Sequence, residues 1–255
     1  YTTDEMRLYL RRSSDEGKTW SEARPCMPEA GYYVVNNDRI IRLSTSGRLV
    51  IPASWHQSRG ANGKACFFLS DDDGESWKRS QELCILTSKY TRSGLQEPGI
   101  IELRTGVLWA WARTDMGRQY EMFSTDQGEN WSEPAPSRFT SPLSPMSVKR
   151  DHTSNQLLAI WNPIPQFPTR KFHKSTMGRF PFIGAVSGDE GENWGQPFVI
   201  ELDEQRGYCY TAIHFTEDDS VLLAYCAGGE KDQSCLARLT IRKIKLSEIC
   251  NRGTA

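Results

Sequence analysis

Apolar residues fall in short runs along the chain: RIIRL, RLVIPAS, KACFFLS, GIIEL, VLWAWAR, QLLAIW, FIGAVS, YTAIHF and VLLAYC, each bounded by Gly, Asp, Ser or Pro. Runs of this length between turn residues read as β-strands, and no stretch sustains the 3.6-residue period of an amphipathic helix. The pattern predicts an all-β chain of many short strands.

A repeat lies over that pattern. One octapeptide recurs as SSDEGKTW at 13–20, SDDDGESW at 70–77, STDQGENW at 124–131 and SGDEGENW at 187–194. Its tryptophans, Trp20, Trp77, Trp131 and Trp194, are 57, 54 and 63 residues apart, a period that suits a four-stranded unit with its turns. The residue types are those of a tight hairpin: an Asp to accept backbone N–H groups, a Gly for positive φ and a Trp to pack beneath. Asp15, Asp72, Asp126 and Asp189 are therefore expected to be structural, closing outer turns, rather than catalytic. Short strands alone would also fit a sandwich, but a repeat of this period predicts a β-propeller.

Composition narrows the choice of chemistry. A chain of 255 residues with 38% hydrophobic and 25% charged residues is expected to form one domain, 1–255, with a sizeable core. A net charge of -1 supplies no basic field for a phosphate backbone, so a nucleic-acid partner has no electrostatic support and none is expected. The longest apolar stretches, VLWAWA and VLLAYCA, fall well short of the roughly 20 residues of a membrane helix. Seven cysteines (Cys26, Cys66, Cys84, Cys209, Cys226, Cys235, Cys250) contain no CxxC pair, and the four histidines show no ligand spacing. They predict buried apolar thiols, with neither a disulfide framework, a metal site nor a cofactor. No feature of the sequence reports a compartment.

The octapeptides, on strands of this pattern, resemble the Asp-box repeats of the exo-sialidase superfamily, whose members are six-bladed propellers. In that family a Glu begins a strand, an Arg ends the next, and a box follows; LQEPGIIELRTGVLWAWARTD gives Glu97 and Arg113, 16 residues apart, with a box from Ser124. A second Arg precedes the strand entering a later box, and GRFPFIGAVSGDEG places Arg179 eight residues before Ser187. A Tyr then opens a pattern ending Leu-Tyr-Glu, which YTAIHFTEDDSVLLAYC matches from Tyr210, with Cys226 where the family shows Glu.

The resemblance implies that Tyr210 is the nucleophile, that Glu97 takes its proton, and that Arg113 and Arg179 belong to a three-Arg clamp on the carboxylate of sialic acid. Guanidinium groups suit that anion because they bind it bidentately. A neutral phenol suits the attack because a carboxylate nucleophile would be repelled by the substrate's own charge. Tyr208, two residues earlier, is the alternative nucleophile. The family's first Arg motif has no counterpart here, so this Arg and the acid/base Asp are expected upstream of Tyr1, leaving an N-terminally incomplete propeller, with Asp4 as the in-chain candidate for the acid.

The segment AGYYVVNNDRIIRL starts another strand of the inner type, so Asp38, Arg39 and Glu29 are candidates to line the pocket. The Pro-rich insert 162–179 is read as a rim loop. The implied activity is retaining cleavage of terminal sialic acid from glycoconjugates, with sialylated or other acidic glycans as partners. A non-catalytic carbohydrate-binding propeller and a hydrolase of another acidic sugar are the alternatives.

Overall fold

The computed structural model describes residues 5–58 and 60–250, apart from the side chain of Cys250. Asp4, the candidate acid, lies outside the described residues. The chain divides into two compact units, Tyr1–Trp109 with Met122–Pro134, and Ala110–Glu121 with Ala135–Ala255.

The first unit contains β1 (Tyr9–Leu10), β2 (Arg24–Pro25), β3 (Tyr32–Val34), β4 (Ile41–Arg42), β5 (Leu49–His56), β6 (Lys64–Ser70), β7 (Lys78–Arg79) and β8 (Gln96–Glu102). Strands β1 and β2 pair with each other, and the main sheet runs β3-β5-β6-β7 with β4 also on β5. Strand β5 (LVIPASWH) is buried along almost its whole length, as its continuous apolar run requires. Pro52 in its middle has no N–H to give, and it falls in the gap between the residues paired to β4 (Leu49, Val50) and those paired to β3 (Ser54, Trp55, His56). Ile51, Ala53, Cys66 and Phe68 form the core of this sheet, with Trp77 packed against it.

Strands β9 (Leu108–Arg113) and β10 (Arg118–Ser124) are divided between the two ranges, and with β11 (Ala135–Thr140) they give the sheet order β11-β10-β9-β8. The second unit continues with β12 (Ser147–Arg150), β13 (Leu157–Trp161), β14 (Phe182–Ser187) and β15 (Phe198–Glu201) as one meander. Strands β16 (Cys209–Thr216), β17 (Ser220–Cys226) and β18 (Leu239–Lys245) form another, followed by the short helix α1 (Leu246–Cys250). The core packs Leu158, Ile160, Phe182, Ile213, Leu223 and Tyr225 together, each buried side chain of this size contributing about 1.5–3 kcal/mol. Tyr208 belongs to that core: it is 1% exposed and its ring stacks on Phe182 at 5.8 Å. Burial pushes its phenol up to about 12. That setting separates Tyr208 from Tyr210.

All four octapeptides fold into the same hydrogen-bonded turn. In the third, Ser124 Oγ donates to Asp126 Oδ1 (2.8 Å) and accepts from the N–H of Gly128 (2.9 Å). Asp126 accepts from the N–H of Asn130 (2.9 Å) and from its side-chain amide (2.8 Å), and Trp131 Nε1 donates to Gly128 O (3.1 Å). The same contacts recur around Asp15, Asp72 and Asp189. Gly17, Gly74, Gly128 and Gly191 take φ of 81° to 90°, which only glycine adopts without steric cost. The tryptophans differ. Trp131 stacks on Phe67 (3.7 Å) and Trp194 meets Phe139 edge-on (5.3 Å), whereas Trp20 stays 57% exposed, against the expectation that each would pack beneath its turn.

Replacing Asp126 by Ala removes the acceptor for one backbone and two side-chain donors, at a cost of about 1 kcal/mol. The expected drop in Tm, read by thermal unfolding, is about 2–4 °C for a chain of this size, and an unchanged Tm would show that the carboxylate does not hold the turn. The hydroxyls of Thr19 and Ser76, with their backbone N–H groups, hold the Asp15 and Asp72 carboxyls down to about 2, from an ordinary 3.8. Because the folded values are depressed, this stabilisation is present above pH 4 and is lost as pH falls towards 2. Urea midpoints measured across that window should fall more in the wild type than in a chain carrying Asp15→Asn and Asp72→Asn.

Candidate active site

In the second unit the almost wholly apolar strand β9 ends at Arg113, which is 9% exposed. Arg179 follows a short 3-10 turn, Lys174–Thr176, and is 1% exposed. A buried guanidinium is costly unless acceptors surround it. Both arginines find the same one: Arg113 Nη1 donates to Leu143 O at 3.3 Å and Arg179 Nη2 donates to it at 3.1 Å. The structure thus brings the two arginines together on one oxygen, although 66 residues separate them in sequence.

That oxygen is held in place by a polar scaffold that the sequence reading missed. Gln119, fully buried, donates Nε2 to Ser141 Oγ and to Ser144 O, both at 2.8 Å. Ser144 Oγ donates to Asn162 Oδ1 (2.6 Å), and Trp111 Nε1 donates to Met146 O (2.9 Å). The SPLSPM turn, pinned at both ends, presents the Leu143 carbonyl. Its two prolines mark a turn in the sequence, but nothing there marks a carbonyl shared by two distant arginines.

On its other side Arg179 meets sulfur and an aromatic ring. Its Nη1 lies 3.0 Å from Cys209 Sγ and 3.9 Å from Cys235 Sγ, and its Cζ lies 5.4 Å from the centroid of the Tyr210 ring. Tyr210 is half-buried, with φ of 57° inside a strand. The β16–β17 register shifts between Cys209 and Ala212, so Tyr210 sits in an irregularity of the kind that re-aims a side chain. Ser147 Oγ, donating to Thr211 O at 2.7 Å, pins the next residue. A bulky residue in the left-handed region costs about 1–3 kcal/mol, and outliers of this kind cluster at functional sites.

The thiols there depart from the expectation of inert apolar cysteines. Burial does push Cys26 up to about 11 and Cys84 up to about 12. The single S–H of Cys209, shared between Cys226 and Cys235, and the charge of Arg179 instead bring Cys226 down to about 7 and lower Cys235 as well, against the opposing effect of burial. Among the described residues no group of three or more His, Cys, Asp and Glu could hold a metal ion.

The first unit holds the remaining candidates. Glu97 is 8% exposed and has φ of 48°, a second non-glycine residue in the left-handed region within a strand. Its backbone N–H donates to Ser54 Oγ (3.3 Å), Ser54 Oγ lies 3.3 Å from His56 Nε2, and His56 Nδ1 lies 2.7 Å from Ala61 O. With Nδ1 protonated, each donor in this chain has an acceptor. Arg39 is 5% exposed; burial pulls it down to about 10 while the charges of Asp38 and Glu97 oppose the shift, so these three groups share one electrostatic environment. Glu29 is placed elsewhere: its side chain is 59% exposed and lies 3.8 Å from Arg79 Nη2, in a surface ion pair. The carboxylate keeps its water there, which a buried pocket would have removed.

Residues 163–174 of the 162–179 insert lie at the surface with an organiser of their own, while its two ends are buried. Arg170 donates to Ile164 O and Phe180 O, both at 2.6 Å, and lies over the rings of Phe172 and Phe180. The box aspartates lie in turns, away from these groups' hydrogen bonds.

Comparison with known proteins agrees with this architecture. The BNR repeat-like domain family matches residues 2–223. A sialidase of Bacteroides fragilis (strain YCH46) is 24% identical over 254 residues, 95% of this chain and 42% of its own length. An anhydrosialidase of Macrobdella decora is 27% identical over 237 residues, 86% of this chain and 29% of its own. Among solved structures, a leech intramolecular trans-sialidase complexed with 2,7-anhydro-Neu5Ac superposes with a TM-score of 0.72 at 22% identity, covering 98% of this chain and 37% of that one. An intramolecular trans-sialidase from Ruminococcus gnavus, in complex with oseltamivir carboxylate, gives 0.69 at 22% identity, covering 95% and 51%. These likenesses show an all-β propeller fold. The chain spans less than half the length of the two curated relatives.

Gln119→Leu tests the scaffold behind Leu143. It leaves the Ser144 carbonyl without its donor and should cost about 1–3 kcal/mol in urea unfolding; a change below about 0.5 kcal/mol, within the usual range for surface substitutions, would show that the turn is held without it.

Proposed function

Because the chain belongs to the BNR repeat-like family, within the exo-sialidase superfamily, we propose that it carries the catalytic core of an exo-α-sialidase, a retaining glycoside hydrolase acting through Tyr210. One observation carries the reading: two buried arginines converge on a single oxygen, and one of them lies beside the ring of a strained, half-buried tyrosine. A carboxylate substrate meets fixed positive charge there, and a phenol stands next to that charge.

In this reading the substrate carboxylate accepts hydrogen bonds from Arg113 and Arg179, whose planar groups fix its orientation. Tyr210 Oη then attacks the anomeric carbon as the glycosidic C–O bond breaks, and Glu97 takes the phenolic proton. The positive charge of Arg179 favours the developing phenolate, while the neutral phenol avoids the repulsion that a carboxylate nucleophile would meet. Leaving-group protonation needs a separate acid, for which Asp4 is the candidate in this sequence. The same reading makes the complete protein a six-bladed propeller in one domain, acting on sialylated glycans. Arg39 and Asp38, which share the electrostatic environment of Glu97, are assigned to binding.

The test is turnover of a fluorogenic sialoside by the full-length protein. Tyr210→Phe should lower kcat by about a thousandfold or more with Tm unchanged, and Arg113→Lys should raise KM with a smaller effect on kcat. Turnover near wild type in Tyr210→Phe would remove the tyrosine from the mechanism. Binding of sialic acid with no turnover in the wild type would favour the non-catalytic reading. NMR of the released sugar separates hydrolysis, which gives free sialic acid, from an intramolecular transfer of the kind named for the leech and Ruminococcus gnavus proteins.

A further inference from the structure

Three of the cysteines form a group that the proposed mechanism does not use. Cys209 opens β16 and Cys226 closes β17, and the two are direct partners in the antiparallel register. Directly opposed residues in such a ladder have Cα atoms about 4.5–5.5 Å apart, inside the span of about 4.4–6.8 Å that a disulfide bridges. The pairing therefore places the two thiols within reach of each other. Cys235 completes the group, its sulfur and that of Cys209 both lying against Arg179 Nη1.

Access and reactivity divide among the three. Cys209 is 1% exposed and Cys235 fully buried, whereas Cys226 is half-buried, so a small reagent reaches Cys226 first. The hydrogen bond from Cys209 holds the Cys226 thiol near 7, where much of it is thiolate at neutral pH without losing nucleophilicity.

We propose that Cys226 and Cys209 form a reversible thiol–disulfide site that takes a low-molecular-weight disulfide such as oxidised glutathione, and that its oxidation state controls the sulfur contact of Arg179. The Cys226 thiolate attacks one sulfur of the small disulfide, giving a mixed disulfide and one thiolate, which takes a proton from solvent. Cys209 then attacks the Cys226 sulfur and expels the second small thiolate, which takes up the proton that Cys209 gives up. Two protein thiols are thereby oxidised to one disulfide, and the small disulfide is reduced to two thiols.

The consequences follow from position. The Arg179–Cys209 contact at 3.0 Å becomes a contact with a disulfide sulfur, a poorer acceptor that cannot ionise. Cys235 loses its share of the one Cys209 S–H that lies between it and Cys226. Cys209 also directly precedes Tyr210, so the new bond ties the start of the irregular segment to β17.

The experiment incubates the full chain in glutathione buffers of graded redox ratio, quenches with iodoacetamide and maps the peptides. Two alkylatable thiols should disappear together, with a peptide linking Cys209 to Cys226 that dithiothreitol separates; Cys226→Ser should form no intramolecular bond. Only a glutathione adduct, or a bond from Cys209 to Cys235, would overturn the assignment. Hydrogen exchange compared between the two forms reads the coupling: peptides covering 176–182 and 207–213 should change severalfold, and identical exchange would overturn it. Neither readout depends on sialoside turnover, so failure here is separate from failure of the sialidase reading.

Discussion

Keeping the guanidinium of Arg179 out of water is the demand around which the second unit is arranged. At 1% exposure the group has left bulk solvent, and an ion buried without partners would cost several kcal/mol. Its partners come from distant stretches of chain: the Leu143 carbonyl, the sulfurs of Cys209 and Cys235, and the ring of Tyr210. Each has its own support. Gln119 and Trp111 fix the turn that presents Leu143, and Ser147 fixes the residue after Tyr210. Arg113, on the same carbonyl, adds a second positive charge that repels the first, and the two stay close because the turn dipole and the sulfur side offset the repulsion.

The octapeptide turns answer a different demand. Their aspartates lie in exposed loops and satisfy backbone donors within eight residues, so the hydrogen bonds that define them are local. Tryptophan carries their contribution inward, through Phe67 for Trp131 and Phe139 for Trp194. Trp20 keeps the turn's own hydrogen bond to Gly17 while remaining exposed, so the turn forms without the packing. The local chemistry and the long-range packing are therefore separable, and the turn alone does not decide where its tryptophan goes.

That difference explains what was legible in the sequence. Strands and turns follow from neighbours in the chain, so the runs LWAWAR and FIGAVS and the four boxes could be read directly. Arg113, Arg179, Tyr210 and Glu97 stand out through spacing, because each occupies a fixed place relative to a strand and a box, and the structure brings the first three into one neighbourhood. Leu143 does not, because a backbone carbonyl carries no residue signature. The thiols misled because cysteine is ordinarily a small apolar residue, and only the contacts among Cys209, Cys226, Cys235 and Arg179 alter that. Glu29 misled for the opposite reason: it stands close in sequence to Asp38 and Arg39, but its side chain turns outward to Arg79.

Backbone strain links the two candidate catalytic residues more closely than their sequence context does. Glu97 and Tyr210 both lie within strands and both take positive φ, at 48° and 57°. Most other non-glycine residues in that region occupy turns, several of them at the equivalent place in the boxes, where the conformation closes a hairpin. No hairpin needs closing at Glu97 or Tyr210. Such a conformation persists only where its surroundings hold it, and each residue has a holder: Ser54, backed by His56, on the N–H of Glu97, and Ser147 on the carbonyl after Tyr210. A serine hydroxyl fixes the backbone at both places. The strain at both positions is therefore balanced by a hydroxyl contact supplied from a neighbouring strand.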